Sequence, residues 1–174
     1  MNIVGERVIL RAIEVSDTEF LLNLINDAKI EHFVGGYSFP VSGKQQEEWV
    51  KSLKCDHHTL RCVIEDKESK DTRIGTGILS NIDYRSGNAE IHIKLCENFR
   101  GKGYGVDNIK SLVKYAFKEL RIHCIYCYIL EYNLASQRTF EKAEFVKETI
   151  IRERIFKHGE YHNLLSYSII NELI

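Results

Sequence analysis

Arg100-Gly101-Lys102-Gly103-Tyr104-Gly105 is the stretch of this chain whose residue types and spacing point most directly to chemistry. Glycine lets a backbone approach a ligand closely and adopt positive φ. A glycine-rich turn at a helix N-terminus can therefore aim several N–H groups, together with the helix dipole, at a phosphate. Arg100 and Lys102 add positive charge to the same turn. The dinucleotide fingerprint G-x-G-x-x-G fails, because its last glycine would fall on Val106, and the pattern G-x-x-x-x-G-K-[ST] is absent. An ordinary glycine-rich connection is the competing reading. The flanking cations and the helical pattern behind the turn favour a pyrophosphate cradle.

The run just before it, Ala89-Glu90-Ile91-His92-Ile93-Lys94-Leu95, alternates apolar and polar residues, so Glu90, His92 and Lys94 share one face of a strand. Glu90 and His92, about 7 Å apart along that face, are candidate general bases. A solvated strand face would produce the same alternation. Cys124 and Cys127 form a C-x-x-C within the β-rich run CIYCYIL, where their odd separation sends the side chains to opposite faces. A second cysteine pair to complete a zinc site is lacking, so no metal site is expected. Five cysteines without a secretion signal read as reduced thiols.

The elements that must position these groups can be read in order. A first strand runs around Arg7 to Ile13. Ser16 and Glu19 have capping-box spacing ahead of a helix carrying Phe20, Leu21, Leu24, Ile25 and Ala28, and Ser42 and Gln45 repeat that spacing before Trp49, Val50 and Leu53. Leu60 to Ile64, Ile74 to Ile82 and Ala89 to Leu95 form an antiparallel meander, with turns at Asp66 to Asp71 and Arg85 to Asn88. Val106, Ile109, Leu112, Val113, Ala116, Phe117 and Leu120 then mark one stripe of a long helix whose other face is lysine-rich. A strand near Cys124 to Tyr132, a short helix near Ala135 to Lys142 and a hairpin of Val146 to Phe156 with Asn163 to Ile170 complete the chain. The crossover from Ala89 to Tyr132 puts those two strands parallel while the rest pair antiparallel. The fold class is thus α/β, a mixed and mostly antiparallel sheet of about seven strands with helices on both faces.

The 174 residues, 44% hydrophobic and 28% charged, fit one domain spanning 1–174. A formal charge of −1 provides no positive field to gather nucleic acid or an anionic membrane. Glu6, Arg7 and Arg11 interrupt any signal-peptide core at the N-terminus, and no run of 18 apolar residues occurs, so a cytoplasmic location is expected.

With R-x-x-G-x-G at a strand-to-helix junction and this order of elements, the chain resembles the GNAT family of N-acetyltransferases, most closely the branch of ribosomal-protein alanine and spermidine acetyltransferases. The resemblance spans the whole sequence, from ERVILRAIEVSD to FKHGEYHNLLSYSI. It implies a GNAT-like fold whose parallel strands splay around acetyl-CoA, the acetyl donor, with CoA as product. It also implies that Arg100 through Gly105 hold the pyrophosphate, that Ile93, Lys94 and Leu95 line the pantetheine arm, and that Asn133 with Ser136 contacts the cofactor. A backbone N–H of Ile93 or Leu95 would bind the thioester oxygen.

Two residues depart from the family's Tyr-Glu-Lys-x-Gly-Phe. Phe140 replaces the tyrosine that protonates the departing thiolate, and Glu144 replaces a glycine, at a cost of roughly 1 kcal/mol if it must turn left-handed. Ser136 and Tyr132 are weak substitutes for the missing acid, and a cap and a packed aromatic explain them better.

The reaction implied is direct attack of a primary amine on the thioester. A lysine-like amine costs roughly 4.6 kcal/mol to deprotonate at pH 7 and an α-amine about 1.4 kcal/mol, so a base matters most for the former. The acceptor, a small-molecule amine, a polyamine or a protein N-terminus, is expected between Lys29 and Gln46. There Glu31, His32, Phe33, Tyr37 and Phe39, with Glu47 and Glu48 beyond, mix acidic and aromatic groups. A non-catalytic CoA-binding sensor is the alternative function, and a redox or zinc protein using Cys124 and Cys127 is a third. The closing hairpin could also pair with a second copy in a homodimer.

Overall fold

The computed structural model describes residues 1–36, 39–54, 56–69 and 71–172. Its elements, in chain order, are β1 (Ile3–Val4), β2 (Val8–Ala12), α1 (Thr18–Ile25), α2 (Ala28–Phe33), α3 (Gly43–Ser52), β3 (Leu60–Asp66), β4 (Arg73–Asp83) and β5 (Asn88–Leu95). There follow α4 (Tyr104–Glu119), β6 (Cys124–Leu130), α5 (Leu134–Lys142), β7 (Val146–Lys157) and β8 (Glu160–Ile170). The strands form one sheet in the order β1-β2-β3-β4-β5-β6-β8-β7, antiparallel throughout except for the parallel pair β5 and β6.

Alternation along β3 separates the two layers that cover this sheet. Val63 packs with Leu21 of α1 and Val50 of α3. Its neighbours Cys62 and Ile64 point the other way, into the larger core of Ile74, Leu79, Ile91 and Ile125 beneath Ile109, Leu112 and Ala116 of α4. The apolar stripe of α4 therefore buries against the face opposite α1 and α3, and the sheet carries helices on both sides. Beyond β3, the face covered by α1 and α3 continues onto β4, β5 and β6.

Several local expectations change. The sheet has eight strands, because Ile3 and Val4 pair with Leu10 and Ile9. The segment expected to connect two early helices contains α2, capped by the Asp27 carboxylate at the backbone N–H groups of Lys29 and Ile30. The capping box at Ser42 and Gln45 is present. The one expected at Ser16 and Glu19 is not. Glu14 and Asp17 form a box around a short 3-10 turn, and Asp17 then serves as the N-cap of α1. Asp17 is drawn inward because its carboxylate binds Arg11 at 2.8 Å and Arg73 at 2.6 Å.

β8 begins at Glu160, so the turn of the closing hairpin is only His158–Gly159, with φ of 52° and 87°. Two consecutive positive φ values suit the right-handed twist of a tight hairpin.

Candidate active site

The parallel strands touch over only three residue pairs, Asn88 with Cys124, Ala89 with Ile125 and Glu90 with Tyr126. Beyond Glu90 they diverge, and an open cleft of about 1910 Å³ follows the gap. The hydrogen-bond pattern fixes which groups of β5 face it. The Cys96 N–H donates to the Ile74 carbonyl at 2.9 Å, toward β4. Because N–H groups alternate sides along a strand, those of Ile93 and Leu95 turn away from β4 and into the gap, where β6 no longer pairs with them. The Leu95 carbonyl on that side accepts from Arg100 Nε at 3.2 Å.

The glycine turn closes one end of the cleft. Gly101 and Gly103 have φ of 74° and 89°, and Gly103 is the N-cap of α4, so the first N–H groups of that helix open toward the cleft mouth. A Cβ on Gly101 would meet nothing within 4 Å. The space over the turn is free for a ligand. Gly105 is different: it is buried, and a Cβ there would lie 3.1 Å from Thr139 and 3.3 Å from Leu95, so its small size serves packing. Arg100, Gly101, Gly103 and Gly105 line the cleft and the side chains of Lys102 and Tyr104 do not. The Tyr104 hydroxyl donates to Asp66 at 3.0 Å, and Lys102 Nζ lies 6.0 Å from the Phe99 ring.

Asn133 and Ser136 line the cleft at the start of α5. Asn133 caps that helix, its Oδ1 accepting from the Ser136 N–H at 3.1 Å, and its Nδ2 donates to the Phe33 carbonyl at 3.3 Å. Phe140 is 3% exposed with its ring 5.0 Å from that of Phe145, a packed apolar group. Tyr132 donates its hydroxyl to the His32 carbonyl at 2.7 Å.

On β5 the two candidate bases stand together. Glu90 Oε2 accepts from Asn81 Nδ2 at 2.9 Å, and Glu90 Oε1 lies 3.5 Å from His92 Nε2. That nitrogen is also 2.9 Å from Ser80 Oγ. Burial against the cleft wall lowers the His92 pKa, Glu90 opposes this, and Lys94 adds to it. The neutral imidazole needed by a base is thereby favoured at pH 7.

The expected acceptor residues divide. Phe33 lines the cleft. Glu31 and His32 do not. They are engaged by the tip of the closing hairpin instead: Lys157 Nζ bonds Glu31 and donates to the Val34 carbonyl at 2.8 Å, and His158 Nε2 lies 3.1 Å from the exposed His32 at Nδ1. Tyr37 lies outside the described residues.

Sequence reasoning missed this latch, as well as Arg61, Ile78, Tyr128, Ile155 and Leu164 in the cleft wall. Each of these stands on a strand with the alternation already read, but which strand faces which is a tertiary matter. Cys124 and Cys127 stand on β6 with opposite orientations, and burial pushes both thiols up. Among the described residues no group of three or more His, Cys, Asp or Glu side chains could hold a metal.

Comparison with known proteins bears on what this cleft is for. Residues 7–146 match the model of the acetyltransferase (GNAT) domain. The chain belongs to the GNAT acetyltransferase family. Among the relatives of this GNAT chain, the SPbeta prophage-derived N-acetyltransferase YokL of Bacillus subtilis is 28% identical over 97% of this chain and 92% of its own. The structure of spermidine N-acetyltransferase from Vibrio cholerae in complex with CoA and spermine superposes with a TM-score of 0.87, at 28% identity, over 95% of this chain and 96% of that one. The ribosomal L7/L12 α-N-protein acetyltransferase RimL, in complex with CoA, has a TM-score of 0.89 over 100% of both chains, and at 19% identity it shows the shared fold. This GNAT chain is an acetyl-CoA-dependent N-acetyltransferase that acts on an amine.

Proposed function

We propose that acetyl transfer in this protein runs through the gap between β5 and β6, with a primary amine of a small molecule or a protein N-terminus as acceptor. The single observation that carries this reading is the early end of the parallel pairing. It leaves the Ile93 and Leu95 N–H groups facing a cleft closed by two positive-φ glycines at a helix N-terminus. Acetyl-CoA supplies the activated acetyl group when bound. The backbone of Gly101 through Gly105 and Arg100 hold its pyrophosphate. The pantetheine arm runs along the backbone of Ile93, Lys94 and Leu95, the Lys94 side chain standing on the face of Glu90 and His92, and Asn133 with Ser136 borders the arm. The Ile93 and Leu95 N–H groups are donors for the oxygen on which charge develops.

Glu90 and His92 take the acceptor's proton directly or through water. With Phe140 packed in the core, the Ser136 hydroxyl is the group left to return a proton to sulfur. A thiol of cysteine-like pKa, about 8.5, leaves with little help near neutrality, so the lost tyrosine slows the reaction without abolishing it.

The unbroken eight-stranded sheet supports reading residues 1–174 as one acetyltransferase domain. The balanced charge supports a reaction without nucleic acid, and no described helix is long and apolar enough to cross a membrane. The exposed outer edge of β7, with Val146, Ile150 and Phe156, supports a homodimer.

Calorimetric titration with acetyl-CoA and with CoA tests the site. Binding at about one site per chain, lost in Gly103→Trp, is the expected result. An unchanged affinity in that variant removes the glycine turn from the site, and absence of binding to the natural sequence overturns the reading.

A further inference from the structure

We infer that the acceptor of this enzyme is a small amine with an apolar body and its own carboxylate, such as an apolar α-amino acid, rather than a polycation. The inference rests on the β5–β6 cleft being the acetyl-transfer site. It starts from the row pattern of the sheet.

Residues paired across neighbouring strands point to the same face, so the pairs Arg61 with Ile78 and Ile78 with His92 put Arg61 and His92 on one row. At a strand spacing of about 4.8 Å, their Cα atoms lie about 10 Å apart. The pair Thr76 with Lys94 forms the next row and Ser80 with Glu90 the row on the other side. Arg61, Ile78, Ser80, Glu90, His92 and Lys94 all line the cleft.

The charge balance on this face is positive. Among the described residues that line it, Glu90 is the only carboxylate, already holding Asn81 and approached by His92. The other acids of the cleft wall, Glu6, Asp107 and Glu119, stand on the β1–β2 turn and α4, which cover the opposite face. Arg61 and Lys94 have no ion-pair partner within 4.0 Å among the described residues. Asp56, held low first by the His58 N–H, feels Arg61 only weakly. Lys94 is half-buried, and an unpaired cation there favours an anionic guest.

Glu31, the acid expected to welcome a polyamine, is bound to Lys157 and lies outside the cleft wall. Ile30, Phe33, Ile155 and Leu164 supply an apolar part of the cleft wall. An amine directed at Glu90 and His92, a carboxylate at Lys94 and Arg61, and an apolar body against α2 and the closing hairpin would satisfy all three surfaces.

The test compares acceptors that differ in the carboxylate alone. Acetyl-CoA consumption is followed with leucine, methionine and phenylalanine, with their amides, and with spermidine. The acids are expected to give the higher kcat/KM. Lys94→Gln should then raise KM for the acids by about ten- to a hundred-fold, with KM for the amides moved far less, and Lys94→Arg should restore most of the loss. Calorimetric CoA binding in the same preparations separates the two levels of the argument. Lost CoA binding strikes the site itself. Retained CoA binding with amides or spermidine preferred, with no amino acid acetylated, or with acids and amides equally affected by Lys94→Gln overturns the acceptor class alone.

Discussion

Glu144 holds φ at 73° directly after α5, in the left-handed conformation where a side chain crowds its own backbone. Glycine is favoured at that position because it has no Cβ to crowd. The glutamate's ion pair with Lys110, at 3.1 Å between two exposed side chains, contributes little in return. Glu144→Gly is therefore expected to stabilise the protein by about 0.5–1 kcal/mol, read as a higher urea midpoint at unchanged slope. An unchanged or lower midpoint would show that the turn is not strained. Phe140 teaches the complementary point at this scale. Its substitution for a tyrosine was visible in the chain, and its fate, packed against Phe145, follows from an apolar ring at a buried helical position. The identity of a side chain states what it can donate, and its burial decides whether it does.

At the scale of elements, the entry into α1 depends on one carboxylate. Asp17 is fully buried, bound by Arg11 and Arg73, and accepts from the Glu14 N–H at 2.8 Å, which ties β2, β4 and the start of α1 together. Burial alone would raise its pKa, but Arg11, the Glu14 N–H and Arg73 outweigh it and hold the carboxyl below its usual value. A depressed folded pKa stabilises fully above the unfolded value of about 3.9 and loses that contribution as pH falls through the folded value. Asp17→Asn should cost about 3 kcal/mol near neutral pH, because Arg73 loses its carboxylate partner and Arg11 keeps only Glu65. Its stability should then fall less steeply than that of the natural protein below about pH 4. Equal acid sensitivity in the two proteins would assign the acid-labile charge elsewhere. The S-x-x-E spacing at Ser16 and Glu19 misled because capping propensity acts locally, whereas the arginines that capture Asp17 arrive from β2 and from β4, more than fifty residues downstream.

For the whole molecule, the sheet has two open edges, β1 with two residues and β7 with twelve. Long exposed edges favour pairing or covering, and β7 has Val146, Ile150 and Phe156 exposed. Sedimentation equilibrium is expected to give twice the 20.2 kDa chain mass, and Ile150→Lys to lower it toward that of one chain. A monomeric natural protein would show instead that the bulges between Lys147 and Thr149 and between Ile151 and Ile155 are enough to protect this edge.

The order of strands and helices apart from β1 and α2, the parallel crossover and the glycine turn before α4 were legible in the residues. They rest on short-range causes: side-chain periodicity, capping chemistry and the conformational freedom of Gly103. The shared face of Glu90, His92 and Lys94 belongs with them, since alternation along a strand needs no partner to be read. Only the tertiary structure decided where β5 and β6 part, that Lys157 and His158 bond Glu31 and meet His32, and that Arg61 stands on the same sheet face as Lys94, Glu90 and His92. Those are spatial relations between residues from about thirty to more than a hundred positions apart, set by packing of whole faces against one another. Local propensity has no hold on distances of that kind, so the charge gathered around Glu90 and His92 was set by the fold.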